Sequence, residues 1–405
     1  MRIVHISYYF GNNTSGAPVA ATRLHLSLLN AGVDSHFICV KAKGVGPNVY
    51  QLPSVRWLNI LFYIVTRGIW VISKMLFGRI LMANILPLWG FNSLVSKLKP
   101  DVIHIHLLSL DMLSFSQIKK LKVPCVYTLH DLTAVIATDT HPWHDSRYVV
   151  GYTKSNSTVV ERWMFSRKKS FVDATKPLFT GPSHWVCKLF SESLIGRNRE
   201  VVQIPNVNDS TFRYNPNNIS PHKDFVMLFG AFGGRKSKFK GWEDLMAAIS
   251  LLPNDVRNSS IIYVFGENHP DCIESGIRIH FLGEINSPVD LNMVYHSSDI
   301  FVLPSRQDNA PQVKFEAFAC GLPVVSFGRA GCHEFIDSGR NGWVAKDGDI
   351  DGYMHGICFW YNKFKTEGLR QTRKAISDWY LDSFSQNRIV GNYCDTYTKC
   401  MGRSE

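Results

Sequence analysis

Short apolar runs alternate with segments of helical periodicity along the chain, and this alternation predicts the fold. The apolar residues within each run are continuous rather than spaced by polar ones, which is typical of parallel strands covered on both faces. Strands that alternate with helices favour right-handed βαβ units and doubly wound sheets. The predicted strands are residues 2–8, 35–40, 101–106, 125–130, 177–183, 200–206, 224–230, 261–266, 277–283, 299–305 and 322–327.

A stretch rich in Asn, Pro and Ser at residues 204–224 separates these strands into two sets, and such a composition indicates a linker. A chain of 405 residues is also long enough for about two domains. We therefore predict one Rossmann-like domain over residues 1–207 and a second over residues 220–383, with residues 384–405 as a final helix. Ligands of such sheets bind at the carboxyl ends of strands, so the expected site is a cleft between the domains.

The overall charge and composition narrow the possible partners. With 45% hydrophobic and 19% charged residues the chain is that of a folded protein. Its formal net charge of +11 favours an anionic partner such as a phosphorylated substrate or an acidic lipid surface. The sequence contains no zinc-finger spacing, RNP-type motif or arginine-rich arm, so we expect no nucleic-acid partner.

The cysteines and the first residues bear on the compartment. The nine cysteines are scattered, and none forms a CxxC pair or a zinc-type cluster. The opening MRIVHISYYF has one positive charge and no small-residue cleavage site, so it is predicted to be a strand rather than a signal peptide. These features favour a reducing cytoplasm.

Residues 55–91 form the most apolar stretch of the chain. Arg67, Gly68 and Lys74 interrupt it, so no run reaches the roughly 20 residues that span a bilayer. Its basic residues are interleaved with Trp57, Trp70 and Trp89. One interpretation is a helix lying in an anionic membrane interface. The other is a helix packed on the N-terminal sheet whose basic side chains extend to water.

The segment SRQDNAPQVKFEAFACGLPVVSF (305–327) holds the clearest chemical signal. A buried strand leads into a polar turn that contains Asp308, and Glu316 follows eight residues later. Pro311 suits the first helical position, while Gly321 and the proline after it would end the helix. The pattern predicts a short helix whose amino end opens at the carboxyl edge of a sheet.

Free main-chain N–H groups at that helix end would make a phosphate site. The residues that would supply or surround it are Ala310, Pro311, Gln312 and Val313. The acids on either side would accept hydrogen bonds from hydroxyl groups, and a nucleotide sugar carries hydroxyls on both sides of its phosphates. The alternative is that Asp308 caps the helix and Glu316 lies at the surface.

The segment PSRQDNAPQVKFEAFACGLPVV resembles the acid–x7–Glu signature of retaining GT-B glycosyltransferases of the family 4 type. It is most similar to the variant found in bacterial capsule, colanic-acid and O-antigen transferases. Other segments resemble the family in its order along the chain: SGAPVAATRLHLSLLNAGVDSHFICV, LHDL, FTGPSHWV, VVQIPNVND, FGAFGG, KFKGWEDLMAAI, HFLGEI, LNMVYHSSDIFVLPS and GCHEFIDSGRNGWV.

The resemblance implies an α/β GT-B fold with an acceptor-binding N-terminal domain, a donor-binding C-terminal domain and a last helix that crosses back. It implies transfer of a sugar, with retention, from a nucleoside diphosphate to a free or lipid-linked glycan in surface-polysaccharide synthesis. No cofactor and no metal are expected. The enzyme would work in the cytoplasm or at the inner face of the membrane.

Family roles carry over to matching positions. Glu316 would hold the donor ribose, Asp308 would face the donor sugar although it is shorter than the usual glutamate, and Lys240 would contact the diphosphate. The family arginine is replaced by Ala231, so a second cation would come from the basic run that follows. The candidates in that run are Arg235, Lys236 and Lys238.

In the N-terminal half, Gly16 would let the main chain approach a ligand, and His130 would lie against the donor sugar. His104 and His106 are expected on opposite faces of their strand, with His106 towards the acceptor. A simple turn glycine and core histidines are the alternatives. Two other functions stay open: a non-catalytic glycan- or lipid-binding relative, and a nucleotide-sugar epimerase.

Overall fold

The computed structural model describes residues 1–11, 16–52, 56–78, 84–106, 112–138, 145–219, 223–230 and 234–403. Spatial contacts divide the chain into two compact units. Unit 1 comprises Met1–Val207 together with Ile389–Glu405, and unit 2 comprises Asn208–Arg388.

Unit 1 is built on a seven-stranded parallel sheet. Its strands in chain order are β1 (Arg2–Ile6), β2 (Tyr9–Phe10), β3 (Asp34–Cys39), β4 (Lys41–Ala42), β5 (Val49–Gln51), β6 (Val102–Ile105), β7 (Cys125–Thr128), β8 (Leu178–Gly181) and β9 (Val201–Gln203). The sheet order is β5-β3-β1-β6-β7-β8-β9, while β2 and β4 pair separately. The strand order reverses at β1 and β6, as in doubly wound folds.

Among the described residues, seven helices accompany this sheet before the chain enters unit 2. They are α1 (Gly16–Asn30), α2 (Arg56–Phe77), α3 (Phe91–Leu98), α4 (Phe115–Lys119), α5 (Arg147–Val150), α6 (Val159–Thr175) and α7 (His184–Glu192). Thr158 caps α6 by accepting from the main-chain N–H of Glu161, whose carboxylate accepts in return from the N–H of Thr158. None of the helices within the described ranges is both long and apolar enough to cross a membrane.

Unit 2 contains a second seven-stranded sheet in the order β12-β13-β11-β10-β14-β15-β16. Its strands are β10 (Phe225–Gly230), β11 (Ser260–Phe265), β12 (Cys272–Glu274), β13 (Ile277–Gly283), β14 (Ile300–Leu303), β15 (Val324–Phe327) and β16 (Gly342–Ala345). All neighbours are parallel except β12, which pairs antiparallel at the edge. Every residue of β10 and β14 is buried, as expected for continuous apolar strands between helices.

The helices of unit 2 are α8 (Trp242–Ser250), α9 (Asn254–Asn258), α10 (Pro288–His296), α11 (Gln312–Ala319), α12 (Ile350–Thr366) and α13 (Arg370–Phe384). Short 3₁₀ turns occur at Pro216–Asn218, Gly234–Lys236 and Lys238–Lys240. A last helix, α14 (Gln386–Gly402), leads back into unit 1. There the Tyr397 hydroxyl lies 2.7 Å from Nδ1 of His104, and the Cys400 thiol donates to the carbonyl of Cys125.

The predicted fold class of two parallel-sheet α/β domains is confirmed, because each of the eleven predicted runs contains a strand. The sequence prediction missed β2, β4, β5, β12 and β16. These strands have two to four residues and lack the continuous apolar runs that mark the central ones.

Helix α11 begins one residue later than predicted. Pro311 is its N-cap, with φ −61° and ψ 117°, and Gln312 is the first helical residue. Gly321 ends the helix as predicted, in the left-handed conformation at φ 79°. The N–H groups of Gly321 and Leu322 donate to the carbonyls of Phe318 and Ala317, a Schellman arrangement that satisfies the helix end.

Arg373 on α13 ties three helices of unit 2 together. Its side chain is 2% exposed, and its guanidinium donates to the carbonyls of Tyr295, His296, Ser298 and Cys320 at 2.8–3.3 Å. Tyr295, His296 and Cys320 lie at the carboxyl ends of α10 and α11, and Ser298 follows α10 by two residues; main-chain carbonyls at such ends lack part of their intrahelical hydrogen bonding. Arg373 therefore joins α11, which carries Glu316, to α10, which carries Tyr295.

We expect Arg373→Met to lower the free energy of unfolding by about 3 kcal/mol, because it leaves several buried carbonyls without donors. Urea denaturation measures this directly. Arg370→Met, at an exposed position of the same helix, is the matched control and should change stability little. Equal midpoints for the two variants would show that the buried guanidinium does not hold α10 and α11.

Candidate active site

The carboxyl ends of β10 and β14 mark the expected binding edge of unit 2. These strands are neighbours at the centre of the sheet, and the strand order reverses between them. Such a switch point is where doubly wound sheets place their ligands. The chain leaves β10 towards the basic segment 234–241, and it leaves β14 into the turn 304–311 that precedes α11.

Main-chain contacts hold the basic segment against that turn. Gly241 has φ 71°, and a side chain there would collide with the carbonyl oxygen of Pro304. Two positions away on each segment, the N–H of Arg306 donates to the carbonyl of Phe239 at 2.8 Å. The glycine is therefore required both for its left-handed conformation and for the close approach.

Lys240 and Asp308 meet across this contact. Nζ of Lys240 lies 2.7 Å from Oδ2 of Asp308, and the two side chains are 23% and 21% exposed. Burial lowers the pKa of Lys240, but the Asp308 carboxylate raises it by more, so the net pKa lies above the ordinary value. The ammonium therefore stays charged at neutral pH. The structure brings together the two residues that the sequence placed 68 positions apart.

Glu316 lies on the buried side of α11 and is 4% exposed. The hydroxyl of Tyr295, on α10, lies 3.0 Å from Oε2 of Glu316 and 3.3 Å from the carbonyl oxygen of Val313. Its single proton can be donated to one of these acceptors at a time. The contact orients the carboxylate, and the interpretation of Glu316 as a surface residue is wrong.

Lys314 extends the framework around Asp308. Its side chain is 1% exposed, and Nζ donates to the carbonyls of Gly331, Cys332 and Glu334 at 2.8–3.0 Å. Burial lowers its pKa to about 8. The N–H of Gly331 donates in turn to the carbonyl of Asp308 at 3.0 Å. The loop after β15 is thus joined both to α11 and to the Asp308 turn.

Arg235 forms ion pairs with two glutamates rather than with Asp308. Its guanidinium lies 3.3 Å from Glu267 and 3.6 Å from Glu274, and it also sits over the ring of Phe281. A role as the second phosphate cation stays a prediction and would require this pairing to be shared. Ala231 and the side chain of Lys236 lie outside the described residues, and Lys238 is exposed.

In unit 1 the structure places Gly16 at the exposed first position of α1; the four residues before it lie outside the described ranges. His130 follows β7 and is half-buried. His106, the predicted acceptor residue, is 2% exposed. The roles of all three residues stay predictions.

The expectation that His104 and His106 lie on opposite faces is wrong. Their ring centroids are 3.9 Å apart, because residues two apart on a strand point to the same side. His104 is bound by hydroxyl groups: its ring nitrogens lie 2.7 Å from Tyr397 Oη and from Thr128 Oγ1. It is a core histidine between the sheet and α14.

His5, His104 and His106 have ring nitrogens close enough together to suggest a metal site. Both nitrogens of His104 already contact hydroxyl groups, and both nitrogens of His106 contact the imidazoles of His5 and His130. Metal ligation would require breaking these contacts, so the arrangement fits a hydrogen-bonded cluster better than a set of ligands for an ion.

Sequence reasoning missed Tyr295, Lys314 and His5. A lysine within the apolar, small-residue helix QVKFEAFA was a usable signal for Lys314, because a lysine in such a place needs acceptors. His5 stands beside His104 in the β1–β6 register, which is visible only once the strand pairing is known. No sequence signal pointed to Tyr295.

The architecture is shared with solved glycosyltransferase structures. Sucrose-phosphate synthase from Thermosynechococcus elongatus superposes with a TM-score of 0.66 at 15% identity, covering 99% of both chains. Anabaena Alr3699/HepE, solved in complex with UDP, gives a TM-score of 0.65 at 16% identity, covering 98% of this chain and 100% of that one. Identities this low establish the fold and nothing further.

Two family models match by sequence. Residues 14–210 match the model described as Glycosyltransferase Family 4, and residues 226–363 match the one described as Glycosyl transferases group 1. The chain is a GT-B glycosyltransferase homologue.

Individual relatives match this chain over shorter segments than the family models do. Spore coat protein SA of Bacillus subtilis is 30% identical over 131 residues, covering 29% of this chain and 34% of the relative. Lipopolysaccharide glucosyltransferase WaaG of Escherichia coli is 28% identical over 149 residues, covering 35% and 37%. The matched segments span about a third of these relatives' own length.

We expect the histidine cluster to make the fold sensitive to mild acid. Burial lowers the pKa of His25 and of His130 to about 4, below the ordinary 6.5, and it also lowers the pKa values of His5, His104 and His106 well below the ordinary value. At pH values between the lowered pKa and the ordinary 6.5, the unfolded chain therefore binds more protons than the folded chain. The free energy of unfolding should consequently fall as the pH falls from 6.5 towards 4. Each histidine contributes up to about 1.4 kcal/mol per pH unit.

Urea denaturation at pH 7.0 and at lower pH measures this slope. His25 accepts from the Ser35 hydroxyl and donates to the Pro47 carbonyl, and His25→Gln keeps a donor and an acceptor without the titration. The free energy of unfolding of this variant should depend less steeply on pH, with about one proton fewer taken up on unfolding than in the wild type. A wild-type stability that is constant down to pH 5 would contradict the assignment of neutral buried imidazoles.

Proposed function

We propose that this chain is a retaining glycosyltransferase. It would transfer a sugar from a nucleoside-diphosphate donor to a glycan acceptor, lipid-linked or free, in bacterial surface-polysaccharide synthesis. The single observation that carries the proposal is the Lys240–Asp308 contact at the switch point of unit 2, directly before α11. In this proposal unit 2 binds the donor and unit 1 binds the acceptor.

The geometry around Lys240 supports diphosphate binding. An ammonium that is charged at neutral pH and the amino end of an eight-residue helix both attract phosphate oxygens. When the bond from the sugar's anomeric carbon to the diphosphate breaks, negative charge develops on the leaving oxygen. A fixed cation stabilises that charge. The residues at the helix end would be Ala310, Pro311, Gln312 and Val313.

Glu316 would hold the donor ribose through its hydroxyl groups. Its carboxylate is oriented by Tyr295 through one oxygen, and charge-assisted hydrogen bonds from hydroxyl groups to a carboxylate are strong and directional. Asp308 would face the transferred sugar while remaining paired with Lys240. In the reaction an acceptor hydroxyl attacks the anomeric carbon from the side on which the diphosphate departs, and its proton passes to a phosphate oxygen.

Lys240, rather than a bound metal ion, would supply the positive charge in this mechanism, and no cofactor is required for the bond changes. His130 would contact the sugar from unit 1. The names of two relatives support the substrate class: HepE was solved with UDP, and WaaG is a lipopolysaccharide glucosyltransferase.

A non-catalytic sugar- or lipid-binding protein is the second candidate. It is favoured by the pairing of both candidate cations, Lys240 with Asp308 and Arg235 with Glu267, because each cation must release or share its carboxylate to bind phosphate. The variants below separate the two functions.

We expect Lys240→Ala and Glu316→Gln each to reduce sugar transfer by about 100-fold or more. The first removes the cation that faces the leaving group, and the second removes the charge that binds the ribose. Transfer and donor hydrolysis are measured over a panel of nucleoside-diphosphate sugars, and UDP binding is measured by calorimetry. Lys223→Ala removes an exposed lysine before the amino end of β10, away from the site, and should leave both unchanged.

Wild-type activity in Lys240→Ala or Glu316→Gln would refute the site. Tight UDP binding to the wild type with neither transfer nor hydrolysis of any donor would favour the non-catalytic alternative.

We also propose that α2 lies on an anionic membrane surface. Its exposed apolar side chains recur every three or four residues and share one face: Trp57, Ile60, Leu61, Ile64, Val71, Ile72 and Met75. The opposite face, with Thr66, Trp70 and Ser73, is buried. A helix that turns its apolar face to solvent needs a partner for that face.

Charge argues that this partner is an acidic lipid surface. Arg67 and Lys74 are exposed and, at 100° per residue, lie along one flank of the apolar face. The net charge of +11 adds a favourable long-range field, and about 1 kcal/mol is gained for each basic residue close to anionic lipid. Such a surface fits an enzyme acting on a lipid-linked acceptor at the cytoplasmic side of a membrane.

Co-sedimentation with phosphatidylglycerol-containing vesicles tests this surface. We expect the wild type to sediment at low salt and less at high salt, and Ile64→Glu, at the centre of the face, to bind about tenfold more weakly or worse. Val289→Glu replaces an equally exposed residue of unit 2 and should bind as the wild type does. Failure of the wild type to sediment at low salt would rule out the membrane surface.

A further inference from the structure

Three histidines of unit 1 lie end to end. Nδ1 of His5 on β1 is 2.9 Å from Nε2 of His106 at the end of β6. Nδ1 of His106 is 3.2 Å from Nε2 of His130, after β7. His5 is fully buried, His106 is 2% exposed and His130 is half-buried. The row therefore runs from the core towards the carboxyl edge of the sheet.

The protons in such a row can be arranged in two ways. A neutral imidazole carries one N–H and one acceptor nitrogen, so each ring must accept on one side if it donates on the other. In the first arrangement His5 donates to His106, which donates to His130. In the second arrangement every proton lies on the opposite nitrogen, and His130 donates towards the core. The two arrangements put the proton of His130 on different atoms.

The buried end of the row favours the first arrangement. Nε2 of His5 is buried and has no hydrogen-bond partner among the described residues. In the first arrangement this atom carries only a lone pair, whereas in the second it carries an N–H without an acceptor. Buried N–H groups without partners are rarer than under-satisfied acceptors, and an unmade hydrogen bond to a buried donor costs about 1–3 kcal/mol.

We propose that His5 and His106 are positioning residues that fix the ring proton of His130 on Nδ1. Nε2 of His130 then accepts from His106, and Nδ1 is a hydrogen-bond donor. The ring of His104 packs against that of His106 at an interplanar angle of 35°, but its nitrogens contact Tyr397 and Thr128, so His104 supports the row without joining it.

This assignment deepens the proposed function and rests on it where the ligand is concerned. A ligand atom that contacts Nδ1 of His130 must be an acceptor, such as a hydroxyl, ring or carbonyl oxygen of a sugar. His130 would hold and orient that oxygen and would not remove a proton through Nδ1. The low basicity of the His130 ring agrees with such a role, since desolvation lowers its pKa to about 4.

The direct test is the imidazole ¹⁵N spectrum of the full-length protein labelled at histidine, at neutral pH and without ligand. We expect the signals of His130, assigned by their loss in His130→Gln, to show a protonated Nδ1 and an unprotonated Nε2. The opposite pattern in the wild type would overturn the proposal without any variant. A stoichiometric transition metal bound to the purified protein through His5 and His106 would overturn it as well.

Two substitutions of similar shape at His5 then test the direction of the hydrogen bonds in the row. One should preserve that direction and the other should reverse it. The amide of Asn can donate to His106 from near the position of Nδ1, so His5→Asn should keep the His130 proton on Nδ1. Asp can only accept, so His5→Asp should draw the proton of His106 to Nε2 and move the His130 proton to its own Nε2. The same His130 tautomer in both variants would contradict control by His5.

Where His5→Asp fails to fold, the wild-type spectrum and His5→Asn still decide the question. Once a donor substrate is known, His5→Asn should transfer sugar at close to the wild-type rate. His5→Asp should lose activity by a factor similar to His130→Gln, and the combination should be no worse than either. Failure of all donors with the expected spectra would reject the proposed function and leave the tautomer assignment intact.

Discussion

The ion pair between Lys240 and Asp308 joins the loops that follow the two central strands of unit 2, and the candidate site is organised around it. Each charge is partly removed from water, so neither could remain there alone without a substantial penalty. The carboxylate keeps the ammonium protonated, and the ammonium holds the turn from which α11 starts. A diphosphate arriving at this helix end would therefore meet a cation that is already in place, and it would share that cation with Asp308 rather than create a new site.

Two further cations stiffen the surrounding chain by binding main-chain carbonyls. Lys314 holds the loop after β15, and Arg373 holds the ends of α10 and α11. Because these donors satisfy carbonyls that helix ends and loops leave open, the segments around Asp308 and Glu316 have little freedom to shift. Preorganisation of this kind is what electrostatic stabilisation of a developing charge requires. In unit 1 the side chains are instead held in place by contacts between histidines, from His5 through His106 to His130.

Much of the fold could be predicted from sequence because buried parallel strands leave continuous apolar runs. The apolar run of strand β16 is only three residues long, Trp343 to Ala345, and two of these are only partly buried; the strand was missed because the run is so short. At the site, the spacing of Asp308 and Glu316 indicated a ligand-binding helix, but not that Asp308 would pair with Lys240, since a contact between residues so far apart depends on the sheet order. The same limit hid His5 beside His104. The prediction that His104 and His106 lie on opposite faces of their strand was wrong for a different reason. It misapplied strand geometry, in which residues two positions apart lie on the same face.

The chain returns to unit 1 only with α14, whose Tyr397 covers His104. Unit 1 is thus made from two stretches of the chain with unit 2 between them, and His104 lacks its contact with Tyr397 until α14 has left the ribosome. During synthesis unit 2 can mature first, although it is encoded second. A disruptive substitution in α14 would consequently damage unit 1 more than unit 2, although unit 2 precedes this helix directly in the sequence.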